Sequence, residues 1–179
     1  MQALSKQISA TAQLGVLSEG KVMFIHSVGF PGPTEAFADV GLTRELHATA
    51  SGKLFLADMP LEEVERLMAH GVERYTERTA VSFKQIKEEL LQIEEKGYAV
   101  NDEELLPGFF ILAAPIYDST GSTVGTISVT LLADQAHQSD DQPPYLAPLL
   151  EAARKASLQL GYHPLSQVTK WKRSKLLPR

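Results

Sequence analysis

Two long apolar segments separated by a short polar linker constrain the fold more than any other part of this chain. Residues 109–117 and 123–132 are rich in β-branched and aromatic side chains, and the linker between them contains Gly121. A glycine in a short polar linker between two such runs is typical of a β-hairpin. Because proline cannot donate a ladder hydrogen bond, Pro115 inside the first run indicates a sheet edge or a bulge. The sequence therefore predicts two long antiparallel strands.

The second of these strands alternates between apolar and hydroxyl side chains. Since strand side chains point to opposite faces in turn, the odd-numbered residues 125–131 share one face, and Thr126, Ser128 and Thr130 share the other. A row of hydroxyls is usually the solvent-facing side of a sheet. The alternative is that Ser128 and Thr130 line a pocket and donate hydrogen bonds to a ligand.

Helices are predicted from caps and from apolar spacing. Ser82 and Gln85 fit a capping box and Gly97 fits the position after the last turn, which together predict a helix over residues 82–96. Apolar spacing predicts three more helices, over residues 1–11, 60–69 and 146–160. The first of these has no room for a cap, as expected for the end of a linker helix that continues from a preceding segment.

Loops are predicted on either side of these elements. A second hairpin, over residues 12–27, is followed by a stretch rich in glycine and proline at residues 28–45. A loop of this length is either a functional lid or disordered. Its apolar residues, Phe37 and Leu42 among them, either cover a pocket or anchor the loop to the core. Residues 134–142 are predicted to form a polar loop.

A helix that begins with small residues is predicted after residue 46. In the run HATASGK at residues 47–53, Thr49 or Ser51 can cap the first N–H groups, and Gly52 allows a close approach to the backbone. Such a helix end holds a carboxylate or phosphate with about 0.3–1 kcal/mol when exposed and about 2 kcal/mol when partly buried. Taken alone, the run is more typical of an ordinary helix start, and the alternative is an anion site.

Three acidic residues in succession, Asp102, Glu103 and Glu104, follow a short strand predicted at residues 98–100 and Asn101. Neighbouring acids can serve catalysis or bind a metal. Three in a row after a strand are more typical of a turn, and we interpret them as one.

Charge and cysteine content limit the possible partners and the compartment. The net charge is −5, and five of the 17 Lys and Arg residues lie in the last ten positions, so the remaining chain is strongly acidic. An acidic surface is unsuited to binding phosphates, and we expect no DNA binding by this chain alone. There is no cysteine, hence no disulfide or thiolate metal site. With no signal peptide or bilayer-spanning run, we expect a cytoplasmic protein.

Motifs for catalysis and cofactor binding are missing from the sequence. No Gly-x-Ser-x-Gly, P-loop or dinucleotide-binding pattern occurs, and the five histidines show no metal-ligand spacing. His47 and Ser51 are four residues apart but have no orienting acid, so His47 is interpreted as a structural hydrogen-bonding residue. We therefore expect no enzyme, no cofactor and no metal.

Several sequence blocks together resemble the IclR family of bacterial transcriptional regulators. They occur in the order and spacing of that family: HATASGK at 47–53, GYA at 97–99, DEE at 102–104, Gly108, AAPIYD at 113–118, and Gly121. The similarity covers residues 4–161 and corresponds to the C-terminal, effector-binding domain of the family. The winged helix-turn-helix that precedes this domain in the family does not occur in the chain.

This resemblance implies a fold and a set of site residues. The fold is α/β (α+β), a single GAF-like domain over residues 12–165 with an antiparallel sheet and flanking helices, after a linker helix at 1–11 and before a basic tail at 166–179. The family's ligand contacts correspond to Ala50, Ser51, Asn101, Ile111, Ser128 and Thr130. Further candidates for the pocket lining are Phe37, Leu46, Phe109 and Phe110.

Two of the implied contacts depart from the family. Asn101 stands where an acidic residue is common, and Ile111 replaces a small polar or thiol side chain. A less polar pocket is therefore expected, and Phe109 and Phe110 suggest an aromatic or longer-chain acid as the ligand.

The resemblance also implies a mechanism and partners. The domain is expected to bind a small metabolite, often a carboxylate in this family, and to control DNA binding allosterically in a homodimer or homotetramer. DNA would be contacted only through an N-terminal winged helix-turn-helix domain. Two alternatives remain: a stand-alone GAF-like module that acts through ligand or protein contacts, and a small enzyme on a GAF-like scaffold.

Overall fold

The two predicted hairpins lie side by side in one antiparallel sheet of six strands. The structure, a computed structural model, describes residues 1–138 and 143–163. The strands are β1 (Thr11–Ser18), β2 (Lys21–Val28), β3 (Thr43–Arg44), β4 (Ala99–Asp102), β5 (Phe109–Tyr117) and β6 (Thr123–Leu132). Their order across the sheet is β3-β2-β1-β6-β5-β4. The first strand of one hairpin pairs with the second strand of the other, which confirms the expected α/β fold around an antiparallel sheet.

Helices cover both faces of this sheet. They are α1 (Gln2–Ile8), α2 (Ala50–Ala57), α3 (Leu61–Met68), α4 (Phe83–Lys96), α5 (Ala133–Ala136) and α6 (Leu146–Gln159), with a 3₁₀ helix at Pro33–Phe37. Helices α1 and α6 pack on one face through residues such as Ile8 and Leu149. Helices α2, α3 and α4 form a second core with the other face, through residues such as Leu54, Val64 and Ile86. No helix within the described ranges is long and apolar enough to cross a membrane.

The burial of β6 decides between the two interpretations of its hydroxyl row. Its apolar residues Ile127 and Val129 pack with α1 and α6, as the alternation predicts. Thr126, Ser128 and Thr130 on the opposite face are also buried. The expectation of a solvent-facing hydroxyl row is wrong because α2 and the 3₁₀ helix cover this face.

Several local predictions are confirmed and others are corrected. The capping box between Ser82 and Gln85 forms at the start of α4. Pro115 pairs with β6, but the β4–β5 register ends at Ala113, so its other side faces no strand. Asp102 belongs to β4 rather than to a turn, because Asn101 and Asp102 pair with β5.

The predicted loops contain more regular structure than expected. The 3₁₀ helix and β3 interrupt the loop at residues 28–45. Helix α5 occupies the start of the polar loop predicted at 134–142, and residues 139–142 lie outside the described residues. The tail predicted at 166–179 also lies outside them, as do the last two residues of the domain predicted at 12–165.

The start of α2 packs directly on the backbone of the segment before it. A Cβ atom added at Gly52 would lie 2.3 Å from the Leu46 carbonyl oxygen and 2.4 Å from its Cα. Only glycine permits this approach, because real Cβ atoms do not come so close to a backbone and the backbone cannot rotate away as a side chain can. The contact fixes the first turn of α2 over the hydroxyl face of β6.

We expect Gly52→Ala to lower the free energy of unfolding by more than about 3 kcal/mol, since the added methyl group overpacks against main chain. The measurement is chemical denaturation followed by circular dichroism. Gly125→Ala is the control, because there the nearest heavy atom to the added Cβ would be 3.4 Å away, and we expect a change within about 1 kcal/mol. Equal losses in the two variants would contradict the role given to the Gly52 contact.

Candidate functional site

A cavity of about 160 Å³ lies between the start of α2 and the sheet. Its floor is formed by β1, β5 and β6, and its walls by α2, β2, β3, the 3₁₀ helix and the loop after β4. The lining residues are Gln13, Phe24, Phe37, Leu42, Arg44, Thr49, Ala50, Ser51, Leu105, Leu106, Phe109, Ile111 and Ser128.

Six of the ten residues singled out from the sequence line this cavity. They are Ala50, Ser51, Ile111, Ser128, Phe37 and Phe109. The rings of Phe37 and Phe109 meet edge to face with centroids 4.7 Å apart, so the 3₁₀ helix closes the cavity against β5. The structure thus brings residues from four separate parts of the chain to one place.

The other four candidates lie elsewhere. Phe110 packs on the opposite face of the sheet, because it alternates with Phe109 and Ile111 along β5. Leu46 is buried in the core beneath α2. Thr130 lines a different cavity, of about 290 Å³, together with residues at the end of α1 and before α6.

Asn101, the fourth, is fully buried and uses its amide within the protein. Its Nδ2 donates to the Ala48 carbonyl oxygen, and its Oδ1 accepts from the Glu104 backbone N–H at 3.2 Å. An ionised carboxylate at this position would have no donor for the Ala48 carbonyl, so the geometry accounts for an amide here. Asn101 therefore holds the segment before α2 in place and does not line the cavity.

The first turn of α2 combines a satisfied cap with an unsatisfied hydroxyl. Thr49 Oγ1 accepts from the Gly52 N–H at 3.0 Å and donates to the Glu45 carbonyl oxygen, also at 3.0 Å. Ser51 Oγ is buried without a hydrogen-bond partner, a state that only Thr130 Oγ1 shares among the side chains of the described residues. The N–H groups of a first turn have no acceptor within their own helix. A donor-rich helix end therefore faces the cavity.

Arg44 brings a positive charge to the cavity that the sequence analysis missed. Among the described residues that line the cavity, it is the one with a charged side chain. Its Nη1 donates to the Thr43 carbonyl oxygen at 3.2 Å. The strand β3 that carries it is two residues long, too short for any sequence pattern to reveal. Gln13 was also missed, although a lone amide between Ala12 and Leu14 in a predicted strand was a usable signal.

A buried lysine lies one turn further along α2. Lys53 Nζ is 2.7 and 2.8 Å from the two carboxylate oxygens of Glu104 and 2.7 Å from Glu89 Oε2. Burial raises the pKa of the Glu104 carboxyl, Lys53 opposes that rise, and the nearby charge of Glu89 adds to it. Because two carboxylates share one ammonium group here, the charge of Lys53 offsets only part of the cost of burying the ionised Glu104 carboxylate.

The acidic run and His137 form a polar cluster at the edge of the sheet. Ligand atoms of Asp102, Glu103 and His137 lie within 4.8 Å of one another, a proximity that sequence spacing does not reveal. The Asp102 carboxylate already contacts Arg78 at 2.6 Å and His137 at 2.8 Å. The Arg78 cation therefore neutralises the carboxylate that a metal ion would need, and the cluster connects β4 to the segment after α5.

His47 is used structurally, as interpreted from the sequence. Its Nε2 lies 2.8 Å from the Glu73 carbonyl oxygen, and its ring stacks on Tyr75 with centroids 6.1 Å apart. These two contacts attach the His47 ring to the loop after α3.

An α/β domain with a partly apolar cavity beside a helix start has the general layout of small-molecule-binding domains. The chain matches the family described as "Bacterial transcriptional regulator IclR C-terminal" over residues 1–158. It belongs to the IclR family, which confirms the resemblance. Its relatives are transcriptional regulators and not enzymes, which also confirms the expectation that the chain is not an enzyme.

Individual relatives support this membership. The HTH-type transcriptional regulator KdgR of Escherichia coli is 33% identical over 165 residues, which cover 91% of this chain and 62% of KdgR. The transcriptional repressor IclR of Escherichia coli is 30% identical, with coverage of 90% and 60%. The crystal structure of the C-terminal domain of Escherichia coli KdgR matches with a TM-score of 0.76 at 30% identity, over 90% of this chain and 94% of that domain. The chain thus spans under two thirds of the length of these full-length relatives.

We expect Asn101→Ala to lower the free energy of unfolding by about 2 kcal/mol, because the Ala48 carbonyl and the Glu104 N–H would each lose a partner while buried. Chemical denaturation measures this loss. Gln92→Ala removes an exposed amide on α4 and serves as the control, with an expected change within about 0.5 kcal/mol. If the two substitutions cost the same, Asn101 does not hold the segment before α2.

The raised pKa of Glu104 predicts a pH dependence of stability. The stability contributed by its proton is fully present below the unfolded-state pKa and is lost as pH rises through the folded-state pKa. Compared with Glu104→Gln, the natural protein should therefore gain free energy of unfolding as pH falls from about 8 to about 4. Denaturant unfolding of both proteins across this range measures the difference. If the natural protein instead loses stability relative to Glu104→Gln as pH falls, the Lys53 charge outweighs burial.

Proposed function

We propose that this chain is the effector-binding domain of an IclR-type transcriptional regulator and binds a small carboxylate in the cavity beside α2. The observation that carries the proposal is the buried, unpartnered hydroxyl of Ser51 in the same cavity as the Arg44 side chain. A carboxylate supplies acceptors for both groups and for the N–H groups at the start of α2.

The remaining lining supports an acid with a small apolar part. Ile111, Phe37 and Phe109 contribute apolar surface to the same lining. Ser128 and Gln13, opposite each other in the β1–β6 register, offer hydrogen bonds to a keto or hydroxyl group. The volume of about 160 Å³ lies below the roughly 300–1,000 Å³ of sites for drug-sized ligands. A short organic acid suits this cavity better than a long one.

The proposed signal passes from the cavity to the N-terminal side of the chain. Ser128 faces the cavity, while its neighbours Ile127 and Val129 pack in the core that includes Leu4 and Ile8 of α1. We infer that α1 is the end of a linker helix to a DNA-binding domain, as the family arrangement implies. A ligand that favours one arrangement of subunits by about 1–3 kcal/mol changes operator affinity roughly 5- to 150-fold.

The whole regulator is proposed to act as a homodimer or homotetramer in the cytoplasm. Its contact with DNA would be made by a winged helix-turn-helix domain, as in the family. Its relatives KdgR and IclR are both transcriptional regulators, which supports this role.

The test is a thermal-shift screen with acetate, pyruvate, lactate, succinate and benzoate. A ligand at 100 times its dissociation constant adds about 2.7 kcal/mol of stability, which is readily seen as a rise in melting temperature. Ser51→Ala should leave the ligand-free melting temperature unchanged or slightly higher, because an unsatisfied hydroxyl is removed. The same variant, and Arg44→Met, should weaken binding of the carboxylate hit by about tenfold or more.

Arg66→Met removes an exposed arginine on α3, whose Nε donates to the Glu62 carbonyl oxygen of the same helix, and is the matched control for loss of charge. Its ligand affinity should equal that of the natural protein. Undiminished binding in both Ser51→Ala and Arg44→Met would refute the proposed site.

A further inference from the structure

We propose that Glu104, held by Lys53, is a positioning residue that fixes the Leu105–Leu106 wall of the cavity against the start of α2. Its effect on ligand affinity depends on the function proposed above, whereas its effect on the geometry of the cavity does not. Neither Lys53 nor Glu104 lines the cavity.

All the donors of the Lys53 ammonium group are used in its contacts with carboxylates. Its side chain is 2% exposed, and its ammonium group meets both Glu104 oxygens and one Glu89 oxygen at 2.7–2.8 Å. An ammonium group has three donors, and three acceptors surround it. The Lys53 N–H donates to the Thr49 carbonyl oxygen at 3.0 Å, so the side chain is carried by the same helical turn that presents Ala50 and Ser51.

The backbone of Glu104 is also held in place. Its N–H donates to Asn101 Oδ1 at 3.2 Å, and its carbonyl oxygen accepts from Thr79 Oγ1 at 2.7 Å. The amide of Asn101 in turn donates to the Ala48 carbonyl oxygen just before the cap of α2. Two tethers, through Asn101 and Lys53, therefore connect residue 104 to opposite ends of the first turn of α2.

The cavity wall follows immediately along the chain. Leu105 and Leu106 line the cavity, and the turn that carries them is closed by Glu103, whose carboxylate accepts from the Gly108 N–H at 2.8 Å. Leu106 is 44% exposed, so packing alone restrains it weakly. The tethers at residue 104 are what define the distance between this wall and Ser51.

The energetics agree with a geometric role. Desolvating a lysine and a glutamate costs about as much as their attraction returns, so a buried pair of this kind adds little net stability compared with apolar residues of similar size. Removing Glu104, however, leaves the buried Lys53 ammonium group with Glu89 as its carboxylate partner, and removing Lys53 leaves both carboxylates without this cation. Such a contact specifies one arrangement of the chain more than it stabilises the fold.

The experiment compares hydrogen exchange in Glu104→Gln with that in the natural protein. Exchange measured by mass spectrometry should be about tenfold faster or more in peptides covering residues 48–54 and 101–108, and unchanged in α6. The reason is that Glu104 accepts from Lys53 through both oxygens, whereas glutamine has one acceptor oxygen and would turn its NH2 donor toward the ammonium group. Leu149→Ala is the control: it destabilises the opposite core, and should not single out these two peptides. Glu104→Asp, which keeps the charge, should restore part of the protection.

A double variant, Lys53→Met with Glu104→Gln, covers the case in which the single variant does not fold. It removes the charges of both buried partners, and the carboxylate that loses its cation is Glu89, whose side chain is 32% exposed and so reaches water. Faster exchange confined to the same two peptides is again expected. Exchange equal to that of the natural protein in either folded variant, or the same pattern in Leu149→Ala, would overturn the proposal.

A second measurement separates this inference from the proposed function. The carboxylate hit of the screen should bind Glu104→Gln about tenfold more weakly, and Leu149→Ala with unchanged affinity. If none of the five acids binds the natural protein, the proposed function is at fault and the exchange result still decides the positioning role. If the acid binds Glu104→Gln normally while exchange is faster, the tether does not serve ligand binding and the proposal fails.

Discussion

The contact between Gly52 and the backbone of Leu46 is the constraint on which the arrangement of the cavity depends. It brings the first turn of α2 against the segment that leads into it, closer than any other residue would allow. That placement covers the hydroxyl face of β6 with the helix end instead of with solvent or with large side chains. A small space lined by donors is the consequence, because the residues that open α2 are too small to fill it.

The sheet forms the floor of the cavity on one face and part of the core with α1 and α6 on the other. Alternate residues of β5 and β6 point to opposite faces, so Ser128 reaches the cavity while Ile127 and Val129 pack under α1 and α6. The same alternation separates Phe109 from Phe110. A change at the cavity is thus only one peptide unit away from the core on the other side, which is why the strand is a reasonable path between a ligand and the N-terminal helix.

Charge is distributed unequally between two neighbouring parts of the site. The Lys53 ammonium group donates to three carboxylate oxygens of Glu89 and Glu104, which use all of its donors. Arg44 lines the cavity and has a backbone carbonyl as its hydrogen-bond partner in the described contacts. The first arrangement defines where chain segments lie, and the second leaves a cation able to meet an anion.

The sequence by itself determined the elements of the fold and part of the site. Apolar runs on either side of short glycine-containing linkers identified the two hairpins, and the capping residues identified α4, because these signals are local along the chain. The cavity residues Ser51, Ile111 and Ser128 followed from the family resemblance. Local signals could not tell which side of the sheet α2 and the 3₁₀ helix would cover, so the hydroxyl row was open to two readings.

Only the tertiary structure decided which candidates meet. It placed Arg44 in the cavity through a strand of two residues and removed Asn101 and Thr130 from it. It also joined Lys53 to Glu104, which are 51 positions apart. Sequence patterns report the periodicity of one segment at a time, whereas these contacts arise from the packing of segments far apart in the chain, and that packing depends on backbone approach and side-chain volume in three dimensions.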